Sequence, residues 1–400
     1  MSVRMIAFEA LQDFIPLYPL YQLLFADHGL SAAQISTLFV IWSATGFVLE
    51  VPSGAWADTY SRRKLLILGA LLSAVGYAAW ISLPSYAGFA LGFVLWGTSS
   101  ALISGTYEAF VYDELAARDR TEHFPTILGR ARSASFVMNL AATALATPLF
   151  DLGGYALAGV VSVLSCLTQA AVAWSLPEAR AVEAARESDE PGVRAAFAAY
   201  LAMVKSGVAE VLTGRLVRRA VLLVALLGGF LAFDEYFPLL ARETGAATGV
   251  IPLLIAGTVA AQAIGGALAG PAYKLPAATL ATGMAATAVL IASGALSGSA
   301  WGFLPIALGY GVMQLVIVVA ESRLQDAITG PARATVTSVS GLFAEVSAIA
   351  VYGGFALGSL WFTMSVLVAA LTIPVLLTAF VVPLTLPAPR SSASAEVTDT

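Results

Sequence analysis

The chain has 400 residues, 59% of them apolar and 11% charged, with a formal net charge of −5. Soluble domains run at about 45–50% apolar and about 25% charged residues, so these proportions exclude a water-soluble protein and describe an integral membrane one. A small acidic surplus argues against a nucleic-acid partner, and the single cysteine, Cys166, excludes an intramolecular disulfide.

A membrane-crossing helix needs about 20 mostly apolar residues. Hydropathy places twelve such spans, near 4–25, 32–56, 64–83, 86–112, 128–149, 154–176, 219–241, 247–270, 276–297, 300–323, 333–357 and 359–383. The first follows Arg4 as a signal peptide would, but it contains Glu9 and Asp13 and has no small-x-small cleavage site, so it reads as a retained span. The links "LPSY", "DLGG" and "SGSA" are so short that the helices they join must be antiparallel neighbours. The longest polar stretch divides the spans into six and six. It opens on the charged run "EAARESDEPG" and continues with apolar residues at helical spacing between basic ones, the pattern of a helix lying at the membrane surface. The tail, "PRSSASAEVTDT", has the composition of a disordered segment.

The predicted fold is therefore an all-α integral membrane protein of twelve transmembrane helices in two pseudo-symmetric bundles. The first covers 1–176 and the second 219–384, with a cytoplasmic linker over 177–218 and a cytoplasmic tail over 385–400. Lys and Arg collect on the cytoplasmic side of membranes. With both termini inside, 19 of the 20 cations fall at cytoplasmic positions and Arg242 is the exception. The expected location is the inner, or plasma, membrane, crossed many times and in contact with lipid.

Four matches join span n to span n+6. "DFIPLY" from Asp13 parallels "EYFPLL" from Glu235, and Gly54-x-x-x-Asp58 parallels Gly270-x-x-x-Lys274 with the charge inverted. "YEAFVYDEL", with Glu108 and Asp113, parallels "AESRLQDAI", with Glu321 and Asp326, while "RARSAS" from Arg130 parallels "RATVTS" from Arg333. Their common order indicates a parallel repeat of two six-helix halves.

Six plus six spans, a long central loop, and Gly-x-x-x-Asp with a basic cluster after span two together resemble the major facilitator superfamily. The family's loop reads roughly G-x-x-x-D-[RK]-x-G-[RK]-[RK]. This chain keeps Gly54, Asp58, Arg62 and Arg63 but has Thr59 and Ser61 where a cation and a glycine are usual. A glycine permits close approach of a neighbouring helix, and Asp58 is suited to the positive N-terminal end of another. The resemblance implies that this end is the start of span eleven, near Arg333. Arg62 has Asp58 and Asp113 as candidate partners. A cytoplasmic gate of Gly54, Asp58, Arg62, Arg63, Asp113 and Arg333 is the expectation; a simple topology anchor is the plainer reading of "SRRK".

The costliest charges lie deeper, because an unpaired acid at mid-bilayer costs about 2.5–3.5 kcal/mol. Glu9 and Asp13 share one face of span one. Glu108 lies in span four, Asp234 and Glu235 in span seven and Glu321 in span ten. In the resembled family spans one, four, seven and ten line the central cavity, which makes these six the candidates for proton and substrate sites. Carboxyl groups in apolar surroundings can take up and release protons near neutral pH, and Asp13 or Glu108 is the expected carrier. The plainer reading pairs the acids with Arg323, Arg130 or tyrosine hydroxyls, as struts between helices. Tyr18, Trp42, Trp96, Tyr107 and Tyr236 are candidates for stacking on a substrate, although most membrane aromatics serve packing or the interfacial belt.

Two family patterns are altered. Proton-coupled members often carry an arginine four residues before a glycine in span four, and here Ala101 precedes Gly105; exporters often have G-P-x-x-G-G near the end of span five, and here the segment is "TPLFDLGG". No enzyme signature, cofactor motif or Walker loop is present. His28 and His123 are far apart, and "GTVAAQAIGGALAG" sits in span eight with no strand before it, so helix packing explains its glycines. The functional expectation is an alternating-access secondary transporter, working as a monomer on a small-molecule substrate. Its first form is proton-coupled efflux of a small hydrophobic or amphipathic molecule. Uptake of a metabolite by symport or facilitated diffusion is the second, and a non-transporting sensor or scaffold the third.

Overall fold

A computed structural model describes residues 2–177, 215–328 and 333–389. These residues form helices, with no strand among them. They fall into two compact units, one made of residues up to 177 with Ala247–Ala256, the other of the remainder.

The first unit begins with α1 (Ser2–Gln12) and α2 (Tyr21–Asp27), followed by α3 (Ala32–Thr59), α4 (Arg62–Ser82), α5 (Tyr86–Ala116) and α6 (Phe124–Trp174). The expected first span is thus not one helix. Between α1 and α2 the chain leaves helical geometry over Asp13–Leu20, where Pro16 and Pro19 remove two backbone donors and disfavour helix at the residues before them. Serines start the next three helices. Ser31 and Gln34 form a reciprocal capping box on α3, and the side chains of Ser61 and Ser85 cap α4 and α5.

Spans five and six are joined inside α6, not by a loop. Gly153 (φ −155°) and Gly154 (φ 62°, ψ −156°) break the helix; the latter conformation belongs almost only to glycine. The fold-back is proved by the partners of each limb. Ser135 donates to Asp13 and Ser165 donates to the carbonyl of Leu11, although thirty residues of straight helix would separate them by about 45 Å. α1 packs along α6, α4 against both α5 and α6, and α3 against α5. Met5, Phe8, Leu66, Tyr107, Val111 and Ile127 are central to one core cluster.

The second unit contains α7 (Arg215–Gly229), a 3-10 segment (Phe230–Tyr236), α8 (Phe237–Glu243), α10 (Ala269–Ala272), α11 (Ala277–Leu296), α12 (Phe303–Ala327), α13 (Arg333–Gly358) and α14 (Met364–Thr385), with most of α9 (Ile251–Ala267). Span seven, like span one, departs from a single α-helix at its acidic segment. α11 packs on α12 and α14, and α7 on α12 and α13. In α9 a side chain at Gly265 would strike the carbonyl of Gly311, which accounts for its glycine-rich sequence by close packing.

Nine described helices or helix runs are long and apolar enough to cross a membrane. The remaining passes lie in α6, which folds back on itself, in the broken pair α1 and α2, and in the shorter α9 with α10. The protein is an all-α, multi-pass membrane protein.

Candidate functional site

In the first unit the acids predicted from span one meet those of span four. α1 ends at Gln12, which leaves Asp13 on the irregular segment, and its Oδ2 accepts a hydrogen bond from Ser135 of α6. One turn after Arg132 on α6, Ser135 shares its face; Arg132 Nη2 donates to Glu108 Oε1 of α5 at 2.8 Å. Glu9, half-buried, feels the charges of Asp13, Glu108 and Arg132. Glu9 of α1, Asp13 of the irregular segment and Glu108 of α5 are thus neighbours, with Glu108 paired to Arg132 and Asp13 bonded to Ser135.

The backbone groups released by the break in span one find partners on the second limb of α6. Ser162 Oγ accepts from Leu17 N at 3.0 Å, Ser165 Oγ donates to Leu11 O at 3.1 Å, and Gln169 Nε2 donates to Phe8 O at 3.2 Å. From α5, Tyr107 donates to Met5 O at 2.8 Å and stacks on Phe8. Irregular backbone at membrane depth needs this kind of compensation, and it is what keeps Asp13 in place.

In the second unit Asp234 and the buried Glu235 lie on the 3-10 segment, whose Leu231 carbonyl accepts from Tyr310 Oη of α12 at 2.7 Å. Tyr310 and Tyr352 stand close enough to feel both acids. Tyr236 is buried and stacks on Phe355 at 3.5 Å, so it is a packing residue. Glu321 is elsewhere in this unit, on a cavity of about 460 Å³ between α7, α12 and α13 that it shares with Val224, Gly228, Gln325, Ser340 and Ala344.

Two expected struts are corrected. The guanidinium beside Glu108 belongs to Arg132, not Arg130, because only Arg132 shares a helix face with Ser135. Arg323 is buried at 1% exposure, and its hydrogen bonds among the described residues run to the carbonyls of Tyr273, Leu275 and Pro387, the C-terminal ends of neighbouring helices, where a cation is favoured. It is not the counter-ion of a cavity acid.

A family model described as Major Facilitator Superfamily matches residues 5–352. The chain belongs to the major facilitator superfamily. No curated protein matches it. Among solved structures it is similar to a D-xylose-proton symporter, with TM-score 0.69 and 14% identity over 97% of this chain and 98% of that one. It is also similar to the POT family transporter PepTSo (TM-score 0.71, 16% identity, 100% and 98% covered) and to the nucleoside transporter NupG (TM-score 0.67, 10% identity, 95% and 96% covered). At these identities the likeness shows the fold. As a superfamily member the chain is a transporter and not an enzyme.

The superfamily's loop after span two holds its own unit together. Arg62 pairs with Asp113, one of its two expected partners: the ion pair joins α4 to α5, and Arg62 also donates to the carbonyls of Ala57 and Ala109 at 3.3 Å. Arg63 donates to Leu176 O at 3.2 Å. Ser61, where the superfamily pattern has glycine, is the N-cap of α4 and accepts from Lys64 N. A Cβ built at Gly54 meets nothing within 4 Å among the described residues. The side chains of Asp58 and Arg333 are outside the described residues, as is most of the expected linker.

Sequence reasoning singled out neither Arg132 nor Ser135 as a site residue, and it passed over Ser162, Ser165 and Gln169. The signal was available: in "SVLSCLTQ" Ser162, Ser165 and Gln169 recur at three and four positions, a polar stripe on one face of a span.

Proposed function

We propose that this superfamily member is a secondary active transporter that exports a small hydrophobic or amphipathic organic molecule in exchange for protons, with Asp13 and Glu108 as the proton-carrying groups. The neighbourhood of Glu9, Asp13 and Glu108, in which Arg132 pairs with Glu108, carries this reading. Uptake of a proton relieves that imbalance of charge, and its release restores it, so occupancy of the site by a proton or by a substrate bears on the same few side chains. An amphipathic cargo is supported by the second unit's cavity, which sets Val224, Leu324 and Ala344 beside Glu321, Ser322, Gln325 and Ser340. The cation distribution supports cytoplasmic termini, and the repeats support bundles of 1–176 and 219–384 joined by a linker.

Uptake by symport is the second reading, favoured by the likeness to a solved structure titled a D-xylose-proton symporter. Flux of a substrate panel in proteoliposomes under an imposed pH gradient separates the two. Counterflow of substrate against protons supports export and co-directional flow supports symport. Asp13→Asn and Glu108→Gln are each expected to reduce gradient-driven flux by about tenfold or more. Unchanged coupling in both variants removes the assignment.

A further inference from the structure

The first unit contains an array of aromatic rings that the acidic site does not use. Its interior is sealed: Tyr21, Phe25, Phe39, Trp80, Phe89 and Phe93 are at most 1% exposed. Three members at its edge, Tyr18, Trp42 and Trp96, are only half-buried. Trp42 and Trp96 stack with centroids 4.9 Å apart and planes 20° apart, and Tyr18 meets Trp96 edge-on at 6.1 Å. Gly97 makes the stack possible. A Cβ there would stand 3.0 Å from the Trp42 carbonyl and 3.1 Å from Thr45 Cβ, so α3 and α5 approach closely at this level.

Two observations separate this edge from ordinary membrane packing. The indole N–H of Trp80 is satisfied by Phe89 O at 3.0 Å, whereas those of Trp42 and Trp96 have no acceptor among the described residues. Trp42 and Trp96 also lie ten residues beyond the starts of their helices, Ala32 and Tyr86, or about 15 Å. That depth is well inside a hydrocarbon core about 30 Å thick, away from the interfacial belt where tryptophan is usual. A donor facing hydrocarbon without an acceptor is unfavourable, so an accessible indole edge at that depth fits a water-filled or ligand-filled space.

We propose that Tyr18, Trp42 and Trp96 are the recognition surface for the transported molecule, and that its class is a planar aromatic cation. This rests on the transport reading above. The ring faces attract a cation and stack on a flat ring, and the two N–H groups match an acceptor at the edge of such a ring. The irregular segment that carries Tyr18 also carries the acid Asp13, which favours a positive charge in this unit.

The test uses the full-length protein in nanodiscs and ethidium as probe. Tryptophan fluorescence and the near-ultraviolet circular dichroism couplet of the stacked indoles report binding. Ethidium is expected to bind saturably and change the couplet, while tetraethylammonium and D-xylose leave it unaltered. Trp42→Leu with Trp96→Leu should weaken ethidium binding about tenfold or more, and Trp174→Leu, on an indole 74% exposed far from the array, should not. Trp42→Phe with Trp96→Phe keeps the rings and deletes the donors, and should weaken binding about threefold. Equal ethidium affinity in a folded Leu or Phe pair, or a larger response to tetraethylammonium than to ethidium, overturns the proposal. Flux of the unaltered protein separates the two readings: ethidium binding that follows this pattern while that flux ignores an imposed pH gradient defeats proton coupling and leaves the aromatic surface standing.

Discussion

Asp13 and Arg323 show how differently two costly residues are held. Asp13 accepts from Ser135, and an asparagine offers the same acceptor without an ionisable proton. Asp13→Asn should therefore stay within about 1 kcal/mol of the parent in thermal unfolding in detergent, while losing the pH dependence of flux. Arg323 is the opposite case. Its guanidinium serves three carbonyls from two chain segments, and Arg323→Met removes that donor from them. A loss on the order of 3 kcal/mol is expected, read as a lower unfolding temperature; an unchanged midpoint would deny its role as a stitch between helix ends. The presence of both residues is plain from the sequence. Their partners are not, since Ser135 and the carbonyls of Tyr273 and Pro387 are distant along the chain.

Among the helices, two departures from regularity govern the site. The hinge of α6 depends on Gly154, whose backbone angles are closed to other residues. Gly154→Ala should cost about 1–3 kcal/mol and lower the yield of folded protein. The broken first span depends on the polar stripe of α6. Replacing Ser165 with Ala and Gln169 with Leu together removes the α6 donors from the carbonyls of Leu11 and Phe8, and hydrogen exchange over α1 should quicken before that of α4. If α1 exchanges no faster, those bonds do not hold the break. Helix existence was legible here from hydropathy, and the glycine pair of "DLGG" marked the turn. The breaks in spans one and seven were less so, because a proline in an apolar run is compatible with a kinked helix as well as an interrupted one.

For the molecule as a whole, the distribution of 20 cations makes a definite topological prediction. In a Cys166→Ala background, a cysteine replacing His28 should react with an impermeant maleimide added outside cells, and one replacing Glu122 only after permeabilisation. The opposite pattern would invert the proposed orientation. Composition, apolar spans and the repeated acidic segments fixed the class, the number of crossings and the spans that carry charge, because the bilayer imposes those features on any chain that enters it. Only the tertiary structure decided that Arg132 rather than Arg130 faces Glu108, that Arg62 takes Asp113, and that Trp42 stacks on Trp96. Such pairings depend on helix rotation and depth, which follow from how neighbouring helices pack, and hydropathy carries no record of either.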